Sequence, residues 1–217
     1  MVRANYGVSR GNWFFEANVE DMPEGSAVRL GWAQELANIQ TPLGYDRFGY
    51  SFRSRKGTKF HDSRGKHYSE SGFGSGDTVG FLISLPAPQT LPQTYKDKPL
   101  VKFKSFLYFE EKDEIQKTLK TLRPLFGSKI NFYKNGQSLG TAFQDIYSGT
   151  YFPSASLYKG ASVSFNFGPN FKFPPKEEEF KPVSDLVLDQ QIEQTVADLL
   201  FLVENEGKLR LDTFYGN

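Results

Sequence analysis

Three arginines, Arg29, Arg53 and Arg55, recur in segments rich in Tyr, Pro and Gly around Pro42 and Tyr45. A guanidinium offers a planar fork of N–H donors that pairs bidentately with a carboxylate or a phosphate. Tyr and Pro beside it supply a rigid wall for a peptide backbone, so these residue types suit recognition of an acidic segment. Residues 53–66 hold six basic side chains (Arg53, Arg55, Lys56, Lys59, Arg64 and Lys66) against one acid, Asp62. Two other readings stand beside that one. The run is a plain solvated basic face, as charge runs commonly are, or Lys56, Lys59, Arg64 and Lys66 contact nucleic-acid phosphates.

A second grip is apolar. Residues 189–206 place Ile192, Val196, Leu199, Leu200 and Val203 at the spacing of one helical face. Asp189 suits the N-cap and Gly207 the stop. Phe201 and Leu202 widen the stripe beyond what one contact needs. Packing on the chain's own core is the usual fate of such a helix, and docking into a partner's groove is the alternative.

No catalytic constellation emerges. The chain has no Cys, which excludes disulfides, thiolate zinc sites and a cysteine nucleophile. His61 and His67 lie six apart without a carboxylate cluster and read as surface histidines, so no metal and no cofactor is expected. Gly72, Gly74 and Gly76 precede a strand and no Gly-Lys-Ser or Gly-Lys-Thr follows, which argues against a phosphate loop. No G-x-S-x-G elbow occurs, and the paired acids Glu110-Glu111 read as solvent-facing.

The elements that must position these groups are strands. Of 217 residues, 21 are Phe, 11 Tyr, 20 Gly and 12 Pro, a composition of many short strands and tight turns. Gly49-Tyr50-Ser51-Phe52-Arg53 has period two, with Tyr50 and Phe52 on one face and Ser51 and Arg53 on the other. Further strands are expected around Trp13–Val19, Val28–Trp32, Thr78–Leu85, Ile130–Lys134, Tyr151–Tyr158 and Ser162–Phe167. Asn135-Gly136 marks a tight hairpin. Residues 86–129 are too long for a hairpin loop and read as an insertion, ordered in its first half, with one or two strands at 100–109 and a charged, flexible or partly helical stretch beyond. Prolines at 169–175 are expected to end the sheet. The net charge of +1 conceals an acidic 176–206, with nine acids against two bases, opposite in sign to 53–66. No apolar run approaches the roughly 18 residues of a membrane span and no signal-peptide pattern opens the chain, so a soluble, intracellular protein without a membrane partner is expected.

Gly11-Asn12-Trp13-Phe14-Phe15-Glu16, Arg29-Leu30-Gly31-Trp32, Gly76-Asp77-Thr78-Val79-Gly80 and Phe132-Tyr133-Lys134-Asn135-Gly136 occur in the order typical of SPRY domains. More narrowly, the chain resembles the SPRY domain of the Ash-two-like (absent, small or homeotic discs two) family, from Met1 to about Glu206. Pro42-Leu43-Gly44-Tyr45-Asp46, Lys56-Gly57-Thr58-Lys59-Phe60-His61, Thr94-Tyr95-Lys96-Asp97-Lys98 and Phe106-Leu107-Tyr108-Phe109-Glu110-Glu111-Lys112-Asp113 carry that narrower resemblance. It implies an all-β, SPRY-type antiparallel sandwich over 1–175 with the insertion 86–129, a linker 176–188, a helix 189–206 and a tail 207–217 without assigned role. It also implies a nuclear, non-catalytic subunit of a histone H3 lysine-four methyltransferase complex, and a chain that is one piece of a longer protein.

By the same resemblance, Arg29, Pro42, Tyr45, Arg53 and Arg55 form a pocket for an acidic segment of the retinoblastoma-binding protein five subunit. Arg55 stands where the family commonly has Lys, which keeps the charge and changes the fork. Ile192, Val196, Leu199, Leu200 and Val203 are assigned to a dumpy-thirty dimer, with Val196, Leu200 and Val203 at contact positions. The SET-domain catalytic subunit of mixed-lineage-leukaemia type is then reached through the first partner. Nucleosomal DNA at the basic stretch is the alternative partner.

Overall fold

The aromatic strand pattern closes into two antiparallel sheets. The computed structural model describes residues 1–86, 100–103, 106–109 and 115–204. In chain order the strands are β1 (Val2–Arg3), β2 (Gly11–Asp21), β3 (Ala27–Gln34), β4 (Gly49–Arg53), β5 (Thr58–His61), β6 (Arg64–His67), β7 (Thr78–Leu85), β8 (Leu100–Phe103), β9 (Phe106–Phe109), β10 (Lys129–Lys134), β11 (Gln137–Gln144), β12 (Tyr151–Tyr158), β13 (Ser162–Asn166) and β14 (Lys181–Pro182). The helices are α1 (Ile115–Thr121) and α2 (Leu186–Glu204).

One sheet runs β1-β12-β3-β4-β5-β6 and the other β11-β10-β7-β2-β13, with β14 added in parallel beside β2. Alternation sends Phe15, Phe81 and Phe132 from one sheet, and Leu30, Trp32 and Phe52 from the other, into a single core. The layers meet through rings. Phe15 lies edge-on to Trp32 with centroids 4.9 Å apart, and Phe52 stacks on Phe132 at 5.4 Å. Between β10 and β11, Asn135 and Gly136 both take positive φ, 49° and 82°, as the two-residue turn read from the sequence requires.

The outer face of the second sheet is covered by the chain's own return. Phe171 and Phe180 pack on Phe14 at 4.9 and 5.1 Å, beside Leu82 and Tyr133. β14 then pairs with Trp13 and Phe14, and Val183 and Leu186 enter the main core. Buried Glu16 locks this strap: its carboxylate accepts the backbone N–H of Lys172 at 2.8 Å and of Phe173 at 2.6 Å, and the Asn166 amide at 3.2 Å. Within residues 176–188, expected as a linker, Phe180 and Val183 fill apolar sites on the sandwich. The helix also begins at Leu186, after a 3-10 turn at Val183–Asp185, three residues before the N-cap expected at Asp189.

Within the insertion, α1 belongs to the sandwich: Leu119 and Leu122 pack on Ala33, Ala37, Leu43 and Phe48. A second compact unit holds the β8–β9 hairpin, with Leu100 opposite Phe109, and α2 beyond its first residue. Residues 94–98, 110–113 and 207–217, on which parts of the sequence reading rest, lie outside the described residues.

Candidate functional site

The outward face of the first sheet brings the two strand arginines together. Register places Ser156, Arg29, Arg53, Thr58 and His67 in one row across β12, β3, β4, β5 and β6. The next row is Ser154, Gly31, Ser51, Phe60 and Gly65. Arg29 and Arg53 are thus directly opposed, the arrangement in which like charges destabilise a sheet. Among the described residues neither pairs with a carboxylate. The ion pairs found there join Arg47 to Asp62, Lys129 to Glu178 and Lys134 to Asp77. Burial, then the charge of Arg53, holds the Arg29 pKa below its ordinary value.

Phe60 lies beneath both. The Arg29 guanidinium carbon sits 3.9 Å from its ring centroid and that of Arg53 5.7 Å, while Arg29 Nη1 donates to the Leu43 carbonyl at 3.1 Å. Leu43 belongs to a tight turn, closed by a bond from Tyr45 N–H to the Pro42 carbonyl at 3.0 Å. The sheet anchors that turn from beneath: Leu43 N–H donates to Ser156 Oγ at 2.8 Å and Ser51 Oγ to the Leu43 carbonyl at 2.9 Å. Gly44, at φ +83°, passes so close that a Cβ would lie 2.6 Å from the Phe60 carbonyl oxygen. Pro42 and Tyr45 remain exposed at the rim. The site therefore offers two guanidiniums, an aromatic floor and an exposed Tyr–Pro wall, the chemistry of an anionic extended ligand.

Arg55, also expected in the pocket, is held by a neighbouring turn. β4 ends at Arg53, and Arg55 lies in the following turn, where its Nε and Nη2 donate to the Ser26 carbonyl at 3.2 and 3.0 Å and Nη2 also reaches Gly25. Its guanidinium thereby braces the β2–β3 turn while the residue stays exposed. Lys59 is withdrawn from the basic surface. It points inward, donates to the Ala142 carbonyl and lies 5.3 and 5.1 Å from the Tyr68 and Phe143 ring centroids. Lys56, Arg64 and Lys66 stay exposed. His61, read as a surface histidine, is mostly buried, stacked on Tyr50 with centroids 4.1 Å apart and its Nδ1 3.0 Å from the Gly49 carbonyl. Phe60, Ser51 and Ser156 were not singled out from the sequence. Pairing Arg53 with Thr58 across the four-residue turn 54–57 would have put Phe60 on the arginine face.

On α2, Ile192, Val196, Leu199, Leu200 and Val203 are all at least half exposed, Val203 reaching 75%. Val187 and Leu188 add further exposed apolar surface at its start.

A two-sheet antiparallel sandwich with a ligand-type surface on one outer face defines the class, and the SPRY domain pattern matches residues 12–90 and 110–170. The chain belongs to the SPRY domain family, as the ordered motifs implied. Within that family it is 57% identical over 98% of its length to the Set1/Ash2 histone methyltransferase complex subunit ASH2 of Drosophila melanogaster. It is 40% identical over 96% of its length to the complex subunit ash-2 of Caenorhabditis elegans, and 32% identical over 92% to the Set1 complex component ash2 of Schizosaccharomyces pombe. The chain spans 39%, 38% and 36% of the length of these three relatives.

Proposed function

We propose that this chain is a nuclear, non-catalytic adaptor module of a histone H3 lysine-four methyltransferase complex, holding two partners by two chemically unlike grips. The relatives' names as Set1/Ash2 complex subunits support membership of such an assembly. Arg29 and Arg53, with Phe60, Pro42 and Tyr45 around them, bind an acidic segment of the retinoblastoma-binding protein five subunit, and through it reach the SET-domain catalytic subunit. The exposed stripe Ile192, Val196, Leu199, Leu200 and Val203 enters the groove of a dumpy-thirty dimer. Stimulation of methylation follows from ordering the assembly. The single observation that carries this reading is the directly opposed Arg29–Arg53 pair, which has no carboxylate partner among the described residues.

Co-purification tests both grips at once. Arg53→Ala should lose the acidic segment and keep dumpy-thirty, and Leu200→Glu should do the reverse. Retention of both partners by the double variant contradicts the adaptor reading. A second reading rests on exposed Lys56, Arg64 and Lys66 contacting nucleosomal DNA. It requires an affinity that falls steeply with salt and is indifferent to peptide sequence.

A further inference from the structure

We propose that Phe60 is a positioning residue that holds the Arg29 guanidinium in its ligand-ready place, and that residue 65 is glycine so that the Phe60 ring can lie flat. The inference rests on the pocket reading above and deepens it. Two opposed guanidiniums repel, and without restraint the long Arg29 side chain swings into solvent to lengthen their separation. Two contacts oppose this: the Leu43 carbonyl takes one N–H at 3.1 Å, and the negative face of the Phe60 ring lies 3.9 Å from the guanidinium carbon. The ring also lies under Arg53, at 5.7 Å, so a single quadrupole offsets part of the repulsion between the two charges.

Phe60 is not part of any buried core cluster of the sandwich. What fixes its ring is β6. Gly65 is its direct cross-strand partner, and a Cβ there would lie 2.7 Å from both Cε1 and Cζ of Phe60. The ring thus occupies the volume that any side chain at position 65 would need, as an aromatic covers a cross-strand glycine. Pre-placing the arginine in this way removes an ordering cost that the ligand would otherwise meet on binding.

The test uses the full chain, the acidic segment of retinoblastoma-binding protein five as probe, and the Arg29 side-chain N–H resonance as a second readout. A proton held over a ring face is shifted upfield, and that shift reports the placement whether or not ligand is present. Phe60→Leu and Gly65→Ala should both abolish the upfield shift and weaken the segment about tenfold, while Phe60→Tyr should retain both. Gly65→Ala touches no core residue, so it decides the matter if Phe60→Leu folds poorly. An Arg29 resonance unchanged in both variants overturns the proposal, and so does full affinity in both. If Arg29→Ala itself binds the segment like the unaltered chain, the pocket reading falls and the role of Phe60 with it. Loss of binding in Arg29→Ala with none in Phe60→Leu condemns the platform alone.

Discussion

Arg29 and Arg53 face each other across the β3–β4 ladder on the outward side of the sheet, and the protein supplies no carboxylate to either among its described residues. Like charges at directly opposed positions of a ladder repel and weaken the pairing. The sheet tolerates this because Phe60, the Leu43 carbonyl and partial hydration share the cost. A bound carboxylate turns that repulsion into attraction for both guanidiniums, and the same pairing that weakens the free sheet therefore favours the liganded one.

His61 makes stability depend on pH. Burial lowers its pKa below the ordinary value of about 6.5, with the Arg47 charge adding to the effect, while the Gly49 carbonyl, Asp62 and Asp46 oppose it. The folded protein thus prefers the neutral ring, and the unfolded chain takes up the proton more readily. This contribution is fully present above about pH 6.5 and is lost as pH falls from there through the folded-state pKa. Urea midpoints measured between pH 7.5 and 5 should fall, and His61→Gln should flatten that slope. An equal slope in the variant assigns the effect elsewhere.

Glu16→Ala should detach the strap. It leaves the N–H groups of Lys172 and Phe173 without their acceptor, at about 1–3 kcal/mol each, and frees Phe171 and Phe180 to leave Phe14. The expected outcome is a lower urea midpoint together with faster proteolysis within 169–182. Proteolysis at the original rate speaks against the latch.

Leu200→Glu should abolish dumpy-thirty binding and leave the melting temperature within about 2 °C of the original, since the side chain is already 58% exposed. Burying such a residue in a partner groove contributes roughly 1.5–3 kcal/mol before ordering costs, enough for its loss to be visible in a titration. A collapse of thermal stability instead places the helix in the protein's own core.

Local periodicity made much of this site legible. Period two across Gly49–Arg53 separates Tyr50 and Phe52 from Ser51 and Arg53, and the structure keeps that division. Counting basic residues along 53–66 was less reliable, because the turn at 54–57, with Lys56 and Gly57 at positive φ, interrupts the alternation. Beyond it Phe60 shares the arginine face and Lys59 turns inward. Glu16 and Phe180 were beyond sequence reasoning for another reason. Glu16 meets the N–H groups of Lys172 and Phe173, 156 and 157 residues away, and Phe180 packs on Phe14, equally remote along the sequence. An acid within an aromatic strand and a Phe among charges carry no local sign of such partners.

On the proposed reading a defined pair of guanidiniums, and not a diffuse basic field, recognises an acidic ligand. Calorimetric titration of the acidic segment into Arg53→Ala and Lys66→Ala compares the two directly. The pair predicts a loss of more than about 2 kcal/mol, roughly 30-fold, for Arg53→Ala, and about 0–1 kcal/mol for exposed Lys66→Ala. Equal losses in the two variants contradict it.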